Sequence, residues 1–269
     1  MSEAKPTILK IGGSVITDKT GELAAKTEDL NRIAEEIKRA DTENLIIVHG
    51  GGSFGHPTAA KYGIKEGLKD PSDSAQKVGF AETHHVMTVL NGLLMDALVW
   101  HELPSLSLAP STCVITENGR IKFLEETILH KCLSMGITPV LYGDAVLDDK
   151  IGFTVLSGDQ LVAYLAVKLK ARRIVIAVDT DGIYEADPKK NPEAKRYMHL
   201  TLEELKKVQS KLGKAAGTDV TGGMAGKIAE LMPAVEQGIP VKLVNGCRGQ
   251  RILRALTEQQ IEGTLIEKV

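Results

Sequence analysis

The strongest constraint on the fold is a compact apolar run that stops at three consecutive glycines. Leu45–Val48 leads directly into His49-Gly50-Gly51-Gly52-Ser53-Phe54-Gly55-His56. Four aliphatic residues bounded in this way read as a buried strand. Glycine loses more backbone freedom on folding than any other residue, so three together are costly. A turn needs one or two, and the third asks for a ligand that approaches the backbone. The same punctuation recurs along the chain. Thr7–Lys10 stops at Gly12-Gly13, Thr138–Tyr142 at Gly143-Asp144, and Arg173–Val178 at Asp179-Thr180-Asp181-Gly182.

Helical spacing fills the intervals. Leu30, Ile33, Ala34 and Ile37 share one face of Glu28–Arg39. Helices are also expected at Ala81–His101, Ile128–Met135, Asp159–Ala171, Leu202–Leu212 and Met224–Gln237. Cys113–Phe123 reads as a hairpin around Asn118-Gly119, which supplies positive φ. Val241–Val244 reads as a strand and Gly263–Glu267 as an edge strand. The alternation predicts an α/β fold, a mainly parallel sheet covered by helices on both faces. A single domain, 1–269, is expected, with a weak internal boundary near residue 170.

Composition removes other classes. Glycine makes up 26 of 269 residues, about a tenth against roughly 7% in average usage. A net charge of -2 with 43% hydrophobic residues argues against disorder and against a nucleic-acid or membrane-surface partner. No apolar run reaches the ~18 residues of a membrane span. The first residues, MSEAKPTILK, lack the apolar core of a signal peptide, so a cytoplasmic location is expected. Cys113, Cys132 and Cys247 form no CxxC pair, and no residue set is assigned to a resident metal.

The loops carry the chemistry. Gly12-Gly13 can point N–H groups at an anion beside Lys10; a tight turn with a surface lysine is the alternative, and this loop alone does not choose. A helix after Gly50–Gly52 would aim its N-terminal amides at the same place, which favours phosphate. Gly50, Gly52 and Gly55 also fit G-x-G-x-x-G, the dinucleotide pattern of an NAD-binding oxidoreductase. That pattern needs a second strand and an acidic residue about 20 positions on, and Gly67–Asp73 has no apolar strand before it. A Walker A loop is absent. Ser157-Gly158-Asp159 opens one helix, and Thr221-Gly222-Gly223-Met224 opens another that carries Lys227. Two anion-binding loops with lysines suggest phosphoryl transfer between two anionic ligands.

Taken together, KIGGS at 10–14, HGGGSFGH at 49–56, SGD at 157–159, VDTDGIY at 178–184 and TGGM with Lys227 resemble the amino acid kinase superfamily. HGGGSFGH resembles its isopentenyl phosphate kinase branch, and fosfomycin kinases share that histidine. The resemblance implies a three-layer αβα sandwich, a homodimer, and ATP with Mg2+. It implies phosphorylation of a small phosphate acceptor, isopentenyl phosphate, in an alternative mevalonate route. Residues 1–170 would bind the acceptor and 171–269 the ATP. ATP phosphates would reach Lys10, Gly12, Gly13, Ser14 and Gly52, with Asp179, Tyr184, Gly222 and Lys227 also around the nucleotide. Lys19 matches a second N-terminal lysine. The acceptor phosphate would lie against Gly51, His56 and Gly158. Asp144 and Asp159 fit positions that organise lysines or magnesium.

The hydrocarbon needs a small apolar pocket. Phe80, Thr83, Met87 and Leu90 can form one wall or simply pack the core. His84 and His85 read as packing or pocket-wall residues, and His49 carries no distinct functional argument. A carboxylate acceptor invites arginine, and none occurs from Gly50 to Leu98. The rival readings are another acceptor on the same scaffold, such as fosfomycin or an amino acid carboxylate, and a non-catalytic nucleotide-binding protein.

Overall fold

The computed structural model describes residues 5–18, 21, 23–215 and 223–269, with backbone alone for 213–215. Its strands are β1 (Thr7–Ile11), β2 (Leu45–His49), β3 (Ser105–Ser107), β4 (Val114–Glu117), β5 (Arg120–Leu124), β6 (Thr138–Tyr142), β7 (Asp144–Asp148), β8 (Gly152–Leu156), β9 (Arg173–Val178), β10 (His199–Thr201), β11 (Val241–Asn245) and β12 (Thr264–Glu267). Its helices are α1 (Gly13–Ile16), α2 (Thr27–Ala40), α3 (Gly52–Lys61), α4 (Ser74–Trp100), α5 (Pro110–Cys113), α6 (Thr127–Ser134), α7 (Gly158–Lys168), α8 (Leu202–Ala215), α9 (Gly223–Glu236) and α10 (Arg251–Leu256).

The main sheet has the order β10-β12-β11-β9-β1-β2-β6-β3. The six strands from β11 to β3 are mutually parallel, so their carboxyl ends share one edge. β1 and β2 are buried along their whole length, as strands covered on both faces must be. Side chains alternate between two cores. Ile8, Ile46, Val48, Ile174 and Ile176 pack with α7 and α9. Leu9, Ile11, Ile47, Val175 and Ala177 pack with α2, α4 and α10. This is the expected three-layer α/β architecture. A smaller sheet, β5-β4-β7-β8, lies apart. Its hairpin turns at Asn118 and Gly119, both at positive φ, as an Asn-Gly turn requires.

Two expectations change. The long helix begins at Ser74, seven residues before Ala81, because the Asp73 carboxylate caps it by accepting the Gln76 N–H at 3.0 Å. β12 is no edge strand: it runs antiparallel to β11 and carries β10 outside it. β10 has three residues with only Leu200 buried, too little periodicity to announce itself. The main sheet is continuous across residue 170, since β1 pairs with β2 on one side and with β9 on the other. Among the described residues no helix is long and apolar enough to cross a membrane.

Asp148 fastens the small sheet. Its carboxylate accepts from Thr116 Oγ1 and from the N–H groups of Asn118, Gly119, Lys150 and Ile151, at 2.8–3.1 Å. Burial opposes its charge, but these donors hold its pKa well below the carboxylate range. A depressed folded pKa contributes stability above the unfolded pKa and loses it as pH falls. Asp148→Asn is therefore expected to cost about 1–3 kcal/mol at pH 7. Its stability should also fall less than the wild type's as pH drops below about 4, as read by urea unfolding across pH.

Candidate active site

Strand parity decides where Lys10 points. It shares the face of Ile8, and its register partners Val48 and Ile176 line the α7–α9 core. Lys10 is 5% exposed there. Its Nζ lies 3.0 Å from Asp159 Oδ1, and Lys227 Nζ lies 2.9 Å from both Asp159 oxygens. Asp159 sits in the first turn of α7, whose Ser157 cap accepts the Gln160 N–H at 3.1 Å. One carboxylate thus joins β1, α7 and α9. Burial pushes Asp159 up, but the charges of Lys10 and Lys227 outweigh it and hold the group ionised. Burial and then the Lys227 charge lower Lys10 to about 8, with Asp159 opposing. Two cations on one anion leave a net positive charge facing the strand ends.

The glycines meet one another before they meet any ligand. A Cβ on Gly13 would come within 2.2 Å of Gly52 N, and one on Gly50 within 2.8 Å of Gly13 N. Met87 Sδ would lie 2.9 Å from a Cβ on Gly51 and 2.7 Å from one on Gly55. Several N–H groups are already used: Gly12 donates to Ala177 O, Gly50 to Ile11 O, and Phe54 and Gly55 to Gly51 O. Ser53 N–H donates to Thr17 Oγ1 at 3.0 Å. The N–H groups of Gly13, Ser14, Gly51, Gly52 and Gly158 have no partner among the described residues. Those five amides, at the starts of α1, α3 and α7, are the ones able to hold anions.

The histidines divide by environment. His56 lies in the first two turns of α3 with its edge exposed. Crowding by protein, then the Lys10 charge, lowers its pKa and keeps it neutral near pH 7. His49 is fully buried on the α4 side, stacks on Tyr142 at 5.3 Å, and its pKa falls to about 4 through burial. Its Nδ1 donates to Gly50 O at 3.1 Å, so Nε2 accepts from Asn91 Nδ2 at 3.2 Å. Ser107 donates to Asn91 Oδ1 in turn. This chain braces the first glycine of the loop. Asp144, 1% exposed, contacts no described lysine. It binds His84 Nδ1 at 3.0 Å and accepts the Ser111 N–H at 3.1 Å. That bond raises the His84 pKa against partial burial.

Beyond the carboxyl end of β9, Asp179 binds Lys189 at 2.6 Å. Tyr184 bridges to Arg196. Gly182 packs on Thr264, where a Cβ would meet Oγ1 at 2.5 Å. Leu90 is core, whereas Phe80 stacks on Phe153 at 5.1 Å. Lys19 and Gly222 lie outside the described residues. Thr17, His49 and its partner Asn91, His84 as the partner of Asp144, and Lys189 were not singled out from sequence as functional groups. Their pairings join residues up to 60 positions apart, which no local pattern signals.

Removing the shared carboxylate leaves Lys10 and Lys227 facing each other. Asp159→Asn is expected to lower the unfolding free energy by about 3–5 kcal/mol, checked by urea midpoints at pH 7.

A model of the amino acid kinase family matches residues 5–245. An isopentenyl phosphate kinase from Methanothermobacter thermautotrophicus is 39% identical over 96% of this chain and 98% of its own length. That of Methanocaldococcus jannaschii is 36% identical, covering 97% and 98%. A solved isopentenyl phosphate kinase structure superposes with a TM-score of 0.86 at 36% identity, covering 97% of this chain and 99% of that one.

Proposed function

The chain belongs to the amino acid kinase family, and from that premise we propose that it transfers the γ-phosphoryl group of ATP to isopentenyl phosphate, giving isopentenyl diphosphate. The observation that carries this reading is the Lys10–Asp159–Lys227 group beside two amide-lined glycine loops. The named relatives are isopentenyl phosphate kinases over nearly their whole length, which supports the choice of acceptor.

The acceptor phosphate is mostly a dianion at pH 7, since its second pKa is about 6. Its oxygen attacks the γ-phosphorus while the bond to the ADP oxygen breaks. Charge balances without a proton, so no general base is needed. The obstacle is repulsion between anions. Lys10 and Lys227 offset it, and the amides of Gly13, Ser14 and Gly52 hold the donor phosphates. Gly51, Gly158 and the His56 ring hold the acceptor. Phosphoryl transfer depends chiefly on such positioning and fixed charge. Lys19, Asp179, Tyr184 and Gly222 complete the proposed set, the last three around the nucleotide. Asp159 orients the lysines; Asp144 acts through His84.

Among the described residues no group of three or more His, Cys, Asp or Glu side chains gathers to hold a metal ion. Asp159 is filled by two lysines. The fit is to Mg2+ carried on the nucleotide phosphates, where it neutralises charge. The N-terminal part then supplies the acceptor site and the C-terminal part most of the nucleotide site, in a cytoplasmic enzyme. A homodimer is supported by α4, whose Val78, Val89, Leu93 and 81%-exposed Trp100 fall along one exposed stripe.

An ADP-release assay across acceptors tests the reaction. Turnover is expected on isopentenyl phosphate; turnover only on an amino acid or fosfomycin would overturn it. Lys10→Ala is expected to lower kcat by about 10²–10³ in a folded protein. In the free protein Lys10 loses its proton above about pH 8, so kcat/KM for ATP should fall there. Bound phosphates favour the charged form, so the limb in kcat should lie at higher pH. Coincident limbs would count against the charge clamp. Sedimentation should give twice the chain mass, and Val89→Glu should give a monomer.

A further inference from the structure

One hydroxyl ties together the two loops between which the phosphoryl group would pass. Thr17 follows α1, is fully buried, and forms a lone bridge with Ala25. Its Oγ1 donates to Gly13 O at 2.8 Å and accepts the Ser53 N–H at 3.0 Å. Its own N–H also donates to Gly13 O, at 2.9 Å. Gly13 belongs to the loop after β1, and Ser53 to the first turn of α3. The hydroxyl therefore spends its proton on one loop and a lone pair on the other.

The arrangement resists separation of the loops. The loops pack with no room for side chains between them, since a Cβ on Gly52 would lie 2.0 Å from Thr17 Oγ1 and one on Gly13 2.2 Å from Gly52 N. They cannot part without breaking the Ser53–Thr17 bond that crosses between them. Nor does α3 have another way to satisfy the Ser53 amide. The residue at its cap is Gly51, and no side-chain cap bond forms. A part-buried amide left unpaired is unfavourable, so the bond favours one separation of the loops. The amides left without described partners flank this staple: Gly13 and Ser14 on one side, Gly51 and Gly52 on the other.

Resting on the phosphoryl-transfer reading, we infer that Thr17 is a positioning residue that sets the distance between the donor-phosphate loop and the acceptor-phosphate loop. It acts through Gly13 and Ser53, since neither partner leaves its hydroxyl free for substrate. Each loop keeps its own amides when the staple is cut. Binding of either ligand alone should survive, and the in-line approach of the two should not.

Thr17→Val keeps the branched shape and deletes the hydroxyl. Its kcat is expected to fall about 10- to 100-fold, the scale of an ångström-level misplacement. KM for ATP and for isopentenyl phosphate should each move less than about threefold, which separates transfer geometry from ground-state binding. A bisubstrate analogue, adenosine and isopentenyl groups joined by a polyphosphate, spans both loops; its Kd should rise about tenfold or more. Thr17→Ala removes the hydroxyl by a second route and should behave alike, while Thr17→Ser should restore kcat. Thermal midpoints establish that the variants fold. A folded Thr17→Val with wild-type kcat overturns the inference. So does a Thr17→Ser as impaired as Thr17→Val, which would mean packing, or an equal loss in binding of the single substrates. Wild-type protein inactive on isopentenyl phosphate overturns the proposed reaction instead, and the Val–Ser comparison is then made with the acceptor it does use.

Discussion

A carboxylate shared by two ammonium groups organises the carboxyl edge of the main sheet. Asp159, Lys10 and Lys227 come from α7, β1 and α9, and burying any one alone would be costly. Together they are affordable, because each lysine offsets the desolvation of the carboxylate and the start of α7 favours its negative charge. The set is still unbalanced. Burial first, and then the Lys227 charge, depress the pKa of Lys10, and the one carboxylate only partly offsets them. A phosphate bound there, as proposed, would supply the missing negative charge.

The glycine loops follow from the same need for closeness. Their first role is mutual contact: Gly13 lies against Gly52, Gly50 against Gly13, and Met87 against Gly51 and Gly55. Side chains at these positions would force the loops apart. Only after that packing is complete do the remaining amides become available to phosphates. Gly52, at φ +51°, is the position where both demands fall on one residue, since it needs the left-handed conformation and has no room for a Cβ.

The sheet also separates two kinds of work by face. Lys10 points into the α7–α9 layer, where the charge is held. His49, one residue out of phase on the neighbouring register, points into the α4 layer, where Asn91 and Ser107 brace the glycine loop after β2. Neutral, buried His49 and half-exposed, acid-paired His84 show how little residue type alone says about a histidine. Buried Met87 packs against Gly51 and Gly55 on this side, while Phe80 and Phe153 stack in a separate small cluster.

Much of this was readable from the chain. Short β-branched runs ending in glycine announce buried parallel strands with their loops at one edge, because local periodicity and backbone entropy act over a few residues. The α/β class and the hairpin at Asn118-Gly119 follow from such signals, whereas the roles expected of Lys10, Lys227 and Asp159 came from the family resemblance. Strand parity even directs Lys10 toward the helices that carry its partners. What tertiary structure alone decided are the pairings across long stretches of chain: Asp159 with both lysines, Asp144 with His84 rather than with a lysine, β12 inside the sheet rather than at its edge, and Thr17 between Gly13 and Ser53. Those depend on which surfaces meet when the layers pack, and no local pattern encodes a hydrogen bond between residues 60 positions apart.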